Sequence, residues 1–277
     1  MILGGPIEVK FGDPESWIAA VLRSGYRAVF SPVEPGPDDN AAAYGRAALK
    51  AGIIIGEVGA WSNPIDHDPV KAREAIAKCQ RSLDLAERIG ARCCVNITGL
   101  RNPAQWDGPH PTNFFRETFE IIVETTREII DAVKPRRTFY TLEAMPWIFP
   151  SSPDENLDLI RAVDRPGFGV HLDPVNMINC PARYYDNAGF LRECFAKLGP
   201  YIKSCHAKDI ILREKLTVHL DECCPGTGFL DYGVYLRELS KLDPEMTLFM
   251  EHATPEEYPV AAKHIRHIAH ECGLILG

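Results

Sequence analysis

The sequence predicts an α/β fold, a single (β/α)8 barrel over residues 1–277, on three observations. Strand-like and helix-like runs alternate along the whole chain with no break in composition, the pattern of a parallel sheet covered by helices. Eight such pairs fit into 277 residues, close to the roughly 250 residues typical of one such barrel. The competing architecture, an open doubly wound sheet, calls for a G-x-G-x-x-G turn after the first strand, and that motif is absent.

The elements follow in order. IEVKF (7–11) alternates apolar and charged residues and reads as the first strand. Pro14 opens a helix that Gly25 stops. YRAVFSP (26–32) is the second strand, and a Pro-, Gly- and Asp-rich loop (32–40) leads to an Ala-rich helix (40–51) ended by Gly52. IIIGEVGAW (53–61) is the third strand; Asp68-Pro69 then starts a long helix closed by Gly90. ARCCVNITG (91–99) is the fourth. A loop (99–112) holding Trp106 and His110 precedes a helix from Asn113 to about Val133, with apolar residues at helical spacing. TFYTLEAM (138–145) is the fifth strand and 168–172 the sixth, each followed by a helix (153–163 and 187–198). YIKSCHA (201–207) is the seventh strand. The longest connection (208–230) holds PGTG (225–228), which is too short for a phosphate loop and reads as a plain turn, with backbone N–H groups presented to an anion as the alternative. A helix (232–242), the eighth strand MTLFMEH (246–252) and a last helix (255–271) complete the chain.

Composition narrows the function. A net charge of −8 and a pI of about 5.6 argue against nucleic acid as the main partner, since phosphate backbones need a basic face. No apolar run approaches the ~20 residues of a membrane span, and the N-terminus lacks the features of a signal peptide. Nine cysteines without a CxxC motif read as reduced core thiols of a cytoplasmic protein.

Chemistry concentrates at four strand ends. In GVHLDPVN the strand stops at Asp173-Pro174, because proline donates no ladder hydrogen bond. Glu143, His206 and Glu251 end three further strands in the same way. Neighbouring strands lie about 4.7–4.9 Å apart, so residues 143, 173, 206 and 251 reach one ion. Three carboxylates and one imidazole suit a hard-to-borderline divalent cation, Mn2+ first, with Mg2+, Co2+ and Zn2+ as alternatives. His171, two residues before Asp173, faces the same way as it. His171, Asn96, Glu57, Lys208 and Trp147 are candidate substrate contacts, with Trp61, Trp106 and Phe149 as further aromatic surfaces. Asp209 is a candidate to orient His206.

These residues carry a family resemblance. LEAMPW, GVHLDPVNM, CHAKD, PGTGFLDY and FMEH resemble the xylose isomerase-like barrels, especially proteins named sugar phosphate isomerases/epimerases. The chain is also similar to inosose dehydratases and to metal subunits that cleave 3-oxo-glycosides, including C-glycoside deglycosidases. The resemblance implies Glu143, Asp173, His206 and Glu251 as metal ligands, and Glu143 and Glu251 also as the acid/base pair. It implies a metal-dependent sugar isomerase or epimerase that removes a proton next to a metal-coordinated carbonyl, through an enediolate. The alternative is a lyase using the same step for β-elimination from a 3-oxo-glycoside or an inosose. Where ketose epimerases have a histidine three residues after the metal aspartate, this chain has Asn176, counted here among the substrate contacts. Where they have an arginine after the metal histidine, it has Lys208 and Asp209. The expected partner is a small carbohydrate, in a homo-oligomer, with a separate small subunit as an alternative. An endonuclease of the same fold would need more strand-end histidines and a basic surface.

Overall fold

The computed structural model describes residues 1–37, 40–102 and 105–277. Their strands, in chain order, are β1 (Ile2–Gly4), β2 (Ala28–Phe30), β3 (Ile54–Gly59), β4 (Cys93–Asn96), β5 (Phe139–Glu143), β6 (Phe168–Leu172), β7 (Ile202–Ala207), β8 (Asp209–Arg213), β9 (His219–Cys223) and β10 (Thr247–Met250). All except β8 and β9 pair in parallel, in the closed order β1-β10-β7-β6-β5-β4-β3-β2. Closure leaves the barrel no unpaired edge. The helices are α1 (Pro14–Ser24), α2 (Ala41–Ala51), α3 (Pro69–Ile89), α4 (Arg116–Val133), α5 (Pro153–Val163), α6 (Pro174–Met177), α7 (Pro181–Tyr185), α8 (Asn187–Leu198), α9 (Tyr232–Leu239) and α10 (Glu257–Glu271). This is the predicted (β/α)8 barrel. Among the described residues, no helix is long and apolar enough to cross a membrane. All nine cysteines are free.

The helix boundaries follow from local chemistry. Asp13, Asp68 and Ser152 cap α1, α3 and α5 by accepting hydrogen bonds from the first-turn N–H groups of Ser16, Val70 and Glu155, with proline next in each case. Gly25, Gly52 and Gly90 end α1, α2 and α3 in the left-handed conformation.

Strand alternation divides the side chains into two environments. Val170, Leu172, Cys205, Leu248 and Met250 point outwards and join Leu191, Tyr235 and Ile265 of the helices in one apolar cluster. Cys94, Tyr140 and Leu142 join Leu83, Ile122 and Ile129 in the other. The alternate residues therefore point into the barrel: Thr141 and Glu143 on β5, His171 on β6, Ser204 and His206 on β7, Thr247 and Phe249 on β10, and then Asp173, Lys208 and Glu251 just past three strand ends.

Two features depart from the sequence reading. The first strand is Ile2–Gly4, not 7–11; Glu8, Val9 and Lys10 are exposed. The glycines after Ile2 and Leu3 look like a breaker. They serve packing instead, because a Cβ on Gly4 would collide with the ring of Phe249, which stacks on Phe30 at 4.4 Å. The connection after β7 is not a plain loop, since β8 and β9 pair as an antiparallel hairpin, Ile210 opposite Glu222 and Leu212 opposite Leu220. The expected loops 32–40 and 99–112 each include two residues, 38–39 and 103–104, that lie outside the described residues.

Candidate metal centre at the barrel mouth

Glu143, Asp173, His206 and Glu251 converge at the C-terminal end of the barrel. Each contributes one ligand atom, and these atoms all lie within 4.8 Å of one another. His206 Nδ1 is 3.0 Å from Glu251 Oε2, 3.2 Å from Glu143 Oε1 and 3.8 Å from Asp173 Oδ2. Local folding aims each group. Asp173 caps α6, its Oδ1 accepting from the N–H groups of Val175 and Asn176 at 3.0 and 3.2 Å, so Oδ2 is left to face the centre. The carbonyls of His206 and Lys208 accept hydrogen bonds from Tyr235 and Tyr232 of α9 at 2.8 and 2.9 Å, which fixes the end of β7. Asn176 donates to Glu143 Oε1 at 3.1 Å.

Lys208 Nζ reaches the same group of oxygens, 2.9 Å from both Asp173 Oδ2 and Glu251 Oε2 and 3.6 Å from Glu143 Oε1. Its charge is close by, yet Asp173 Oδ2 and Glu251 Oε2 are buried and receive no hydrogen bond of acceptable geometry. Buried oxygens of this kind are costly unless something claims them. Three carboxylates and one imidazole on a common point are a fitting donor set for a divalent cation. The charges are strongly coupled. Burial opposes ionisation of Asp173, but Lys208 and then His206 hold its carboxyl far below the usual range. Burial likewise opposes ionisation of Glu251, and His206 and Lys208 overcome it. Burial disfavours charge on His206 too; Glu251 and Glu143 raise it well above the ordinary imidazole value.

A second polar layer lies directly beneath. Glu57, His171 and Ser204 are at most 1% exposed. His171 Nε2 is 3.0 Å from Glu57 Oε1, which also accepts from the Ser204 hydroxyl, and Ser204 meets Thr247 Oγ1 at 2.8 Å. Burial alone would raise the Glu57 carboxyl; the charge of His171, its hydrogen bond, and the proximity of His206 hold it at about 2. His206 joins the layers, since its Nε2 is 3.6 Å from Glu57 Oε2 and its ring stands edge-on to His171, centroids 4.0 Å apart. Glu57, His171 and His206 thus form a second close group of ligand-type atoms, with one carboxylate where the upper group has three.

Above the four groups opens a cavity of about 460 Å3. Glu143, Glu251, Lys208 and Asn176 lie on its floor, and Trp61, Trp106 and Trp147 line it. Trp61 and Trp106 are 37% and 52% exposed, so ring surface is open to the cavity. Trp147 is held by a hydrogen bond from Nε1 to Asp107 Oδ1 at 3.0 Å and by Asn113, which donates to its carbonyl at 2.9 Å. His252, in the left-handed conformation at φ 56°, places Nδ1 3.0 Å from Glu222 Oε1 and so pins the hairpin to the rim.

Of the residues expected to touch substrate, Lys208, Asn176 and Trp147 line this cavity. Glu57 and His171 face the barrel axis one layer too deep. Asn96 is fully buried and points away from the axis: it donates to Cys79 Sγ and Tyr140 Oη at 3.3 Å and accepts from Ser62 N at 3.0 Å, tying β4 to α3. Asp209 does not orient His206. Its carboxylate accepts from the N–H groups of Ile210, Gly226, Gly228 and Leu230 at 2.9–3.0 Å, so the anion that the PGTG turn faces is Asp209 itself. The group next to His206 Nε2 is Glu57. Sequence reading also missed Asp107, Glu222 and His252. Glu222 carried no clear signal: IILR (210–213) does not alternate, and the connection EKLTV (214–218) has none of the Gly, Asn, Asp or Pro residues that mark a hairpin turn.

The family model for the xylose isomerase-like TIM barrel matches residues 18–268. No curated protein matches the chain in sequence. Solved structures share the fold at low identity. A xylose isomerase-like TIM barrel protein from Mycobacterium smegmatis in complex with magnesium is 16% identical, with a TM-score of 0.69 over 98% of this chain and 96% of that one. The apo 3-keto-D-glucoside 4-epimerase of E. coli is 12% identical, with a TM-score of 0.68 over 98% and 99%. Endonuclease IV of Thermus thermophilus is 15% identical, with a TM-score of 0.71 over 98% and 100%. Such likenesses establish architecture, and the family match covers nearly the whole barrel. The chain belongs to the xylose isomerase-like TIM barrel family.

Proposed function

We propose that this protein is a divalent-metal-dependent isomerase or epimerase of a sugar, working by proton transfer at a carbon next to a carbonyl. The observation that carries the reading is the convergence of Glu143, Asp173, His206 and Glu251 at the base of an aromatic-lined cavity, with Asp173 Oδ2 and Glu251 Oε2 buried and neutralised there, among the described lysines and arginines, by Lys208 alone, at 2.9 Å. Those four residues would hold the ion; Mn2+ suits three oxygens and one nitrogen. When bound, a divalent cation supplies Lewis acidity, which makes a carbon-bound proton next to a carbonyl easier to remove.

The remaining work belongs to side chains. Glu143 and Glu251 sit on β5 and just past β10, on two sides of His206, so a sugar carbon lodged between them meets one carboxylate on each face. One removes the proton and its electron pair passes into an enediolate. The other, entering the cycle as the carboxylic acid, gives its own proton to the opposite face and inverts the centre, while return of the first proton on its original face restores the substrate. Lys208 and Asn176 offer N–H donors to substrate oxygens. The tryptophans take the C–H face of the ring and narrow the access of water. The nine free thiols suit a reducing, cytoplasmic setting.

The test is deuterium uptake. Mn2+-loaded protein in D2O with free ketoses should place deuterium at the carbon next to the carbonyl, by NMR. Glu143→Gln and Glu251→Gln should each slow uptake by a factor on the order of 10²–10⁴. No uptake into any ketose, inosose or 3-oxo-glycoside by metal-loaded protein overturns the acid/base role.

A further inference from the structure

Among the described residues that line the mouth, Lys208 alone is both cationic and buried. It is 2% exposed, and a lysine is almost never so buried unless it is paired. Its pairing is shared with another group. Nζ stands 2.9 Å from Asp173 Oδ2, 2.9 Å from Glu251 Oε2 and 3.6 Å from Glu143 Oε1. His206 Nδ1 approaches the same three oxygens, at 3.8, 3.0 and 3.2 Å. Ammonium and imidazole thus converge on one trio of acceptors, supplied by the three carboxylates of the candidate metal centre. The two shortest lysine contacts lack hydrogen-bond geometry, since Asp173 Oδ2 and Glu251 Oε2 accept no hydrogen bond. Charge holds the ammonium there, and directed bonds do not.

That position is incompatible with an ion on the same oxygens. The Lys208 ammonium would then face two further positive charges within a few ångströms, at a buried point where screening is weak. A fourth acceptor offers an alternative. Glu222 Oε2 is 3.5 Å from Nζ, further out, on the hairpin strand β9 at the cavity wall. The backbone at Lys208 is fixed, because its carbonyl accepts from Tyr232 Oη at 2.9 Å, whereas its four-carbon stem can turn. We propose that Lys208 is the resident counter-cation of the metal centre: its ammonium and the divalent ion compete for the oxygens of Glu143, Asp173 and Glu251, and binding of the ion turns the ammonium to Glu222 and into the mouth. Lys208 keeps its proton throughout; only its partners change. Metal loading then delivers the N–H donor that the mouth offers to a substrate oxygen, so the ion enters before the sugar. This inference rests on the metal centre of the proposed function and not on its proton chemistry.

Three measurements on the full chain test it. Lys208→Met keeps the bulk of the stem and removes the charge, and by calorimetry its Mn2+ affinity should rise at least about tenfold. Its Tm in chelator should fall by several degrees, because buried carboxylates lose their counter-charge, and saturating Mn2+ should close that gap. Glu222→Gln should lower Mn2+ affinity by about three- to tenfold in the wild-type background and leave it unchanged beside Lys208→Met. Acetic anhydride labelling, read by peptide mass spectrometry, should mark Lys208 of the wild type in saturating Mn2+ and spare it in chelator. The labelling needs no variant, so it decides the matter if Lys208→Met does not fold. An unchanged or lower Mn2+ affinity in Lys208→Met, the same Glu222→Gln effect in both backgrounds, or labelling indifferent to Mn2+ overturns the exchange. Wild-type protein that binds no Mn2+ would remove the metal centre and this inference together, whereas a failure of deuterium uptake alone removes only the proton chemistry.

Discussion

Two polar layers are stacked inside this barrel, and they differ in what they face. Both contain carboxylate and imidazole, and both arise from inward positions of the strands. In the lower layer the side chains bond to one another: Glu57 with His171 and Ser204, and Ser204 with Thr247. The atoms left over there, Glu57 Oε2 and His171 Nδ1, belong to residues that do not line the mouth cavity. In the upper layer the protein supplies partners for Glu143 and for one oxygen of Asp173, and leaves Asp173 Oδ2 and Glu251 Oε2 without a hydrogen bond. Glu143 and Glu251 border the cavity. A sealed polar layer stabilises and orients; one that opens on a cavity binds. Side-chain type and inward direction therefore do not define a site until unmet bonding capacity and access are added.

The most severe perturbation removes the group common to both layers. His206→Ala deletes the nitrogen donor and the bridge to Glu57, and should weaken Mn2+ binding by more than about a thousandfold, some 4 kcal/mol. Calorimetry of the chelator-treated protein measures it. Retention of wild-type affinity would mean that the ion, if it binds, sits elsewhere.

The same two layers show what the sequence could and could not reveal. Period-two alternation with an Asp-Pro stop placed Asp173 at a strand end, and the equivalent ends of three other strands brought Glu143, His206 and Glu251 with it; the structure draws all four to one point. Alternation gives direction but not depth. That is why Glu57 and His171 read as substrate contacts although they lie beneath the mouth. Asn96 ended its strand pointing outwards, and only the partners Cys79 and Tyr140, from distant parts of the chain, reveal that. Asp209 was close to the key histidine in sequence, but its carboxylate went to the N–H groups of the PGTG turn, about 20 residues further on, a pairing that only the fold brings about. Residues 2–4 were hidden because a glycine that accommodates Phe249 looks the same in sequence as a glycine that turns a chain.

A milder substitution separates the layers. Glu57→Gln keeps the shape of the lower layer and removes its charge. Glu57 touches no substrate in this geometry, so it acts as a positioning residue through His206, and metal affinity should fall about 10–100-fold. Acid sensitivity reports the same group. Its folded value is depressed to about 2 from an ordinary 4.5, so its contribution to stability is complete above about 4.5 and is lost as the pH falls towards 2. The stability gap between wild type and Glu57→Gln should therefore narrow over that window in denaturant titrations. A variant with unchanged metal affinity and a lower Tm would reduce the lower layer to packing alone.

Asn96→Ala distinguishes a buried polar contact from a substrate contact. Its amide joins β4 to α3 through Cys79, Tyr140 and Ser62, and the loss leaves the Ser62 N–H without its partner. Stability should fall by about 1–3 kcal/mol, with metal affinity and ligand affinity close to wild type once corrected for folded protein. A selective rise in KM with unchanged stability would return Asn96 to the substrate site.

The smallest expected effect tests the rim. Trp147→Phe preserves an aromatic face on the mouth cavity and removes only the hydrogen bond from Nε1 to Asp107. Both partners are partly exposed, so solvent replaces most of what is lost, and the stability change should stay below about 1 kcal/mol. Metal binding, set by the layer below, should not change. Ligand affinity should fall by less than about tenfold, because the stacking surface shrinks but remains. Trp147→Ala removes that surface altogether, and the affinity for a free ketose should fall by about tenfold, read by calorimetry on the Mn2+-loaded protein. An affinity equal to wild type would mean that the indole does not face the sugar, and would leave the rim of the upper layer to Asn176 and Glu222.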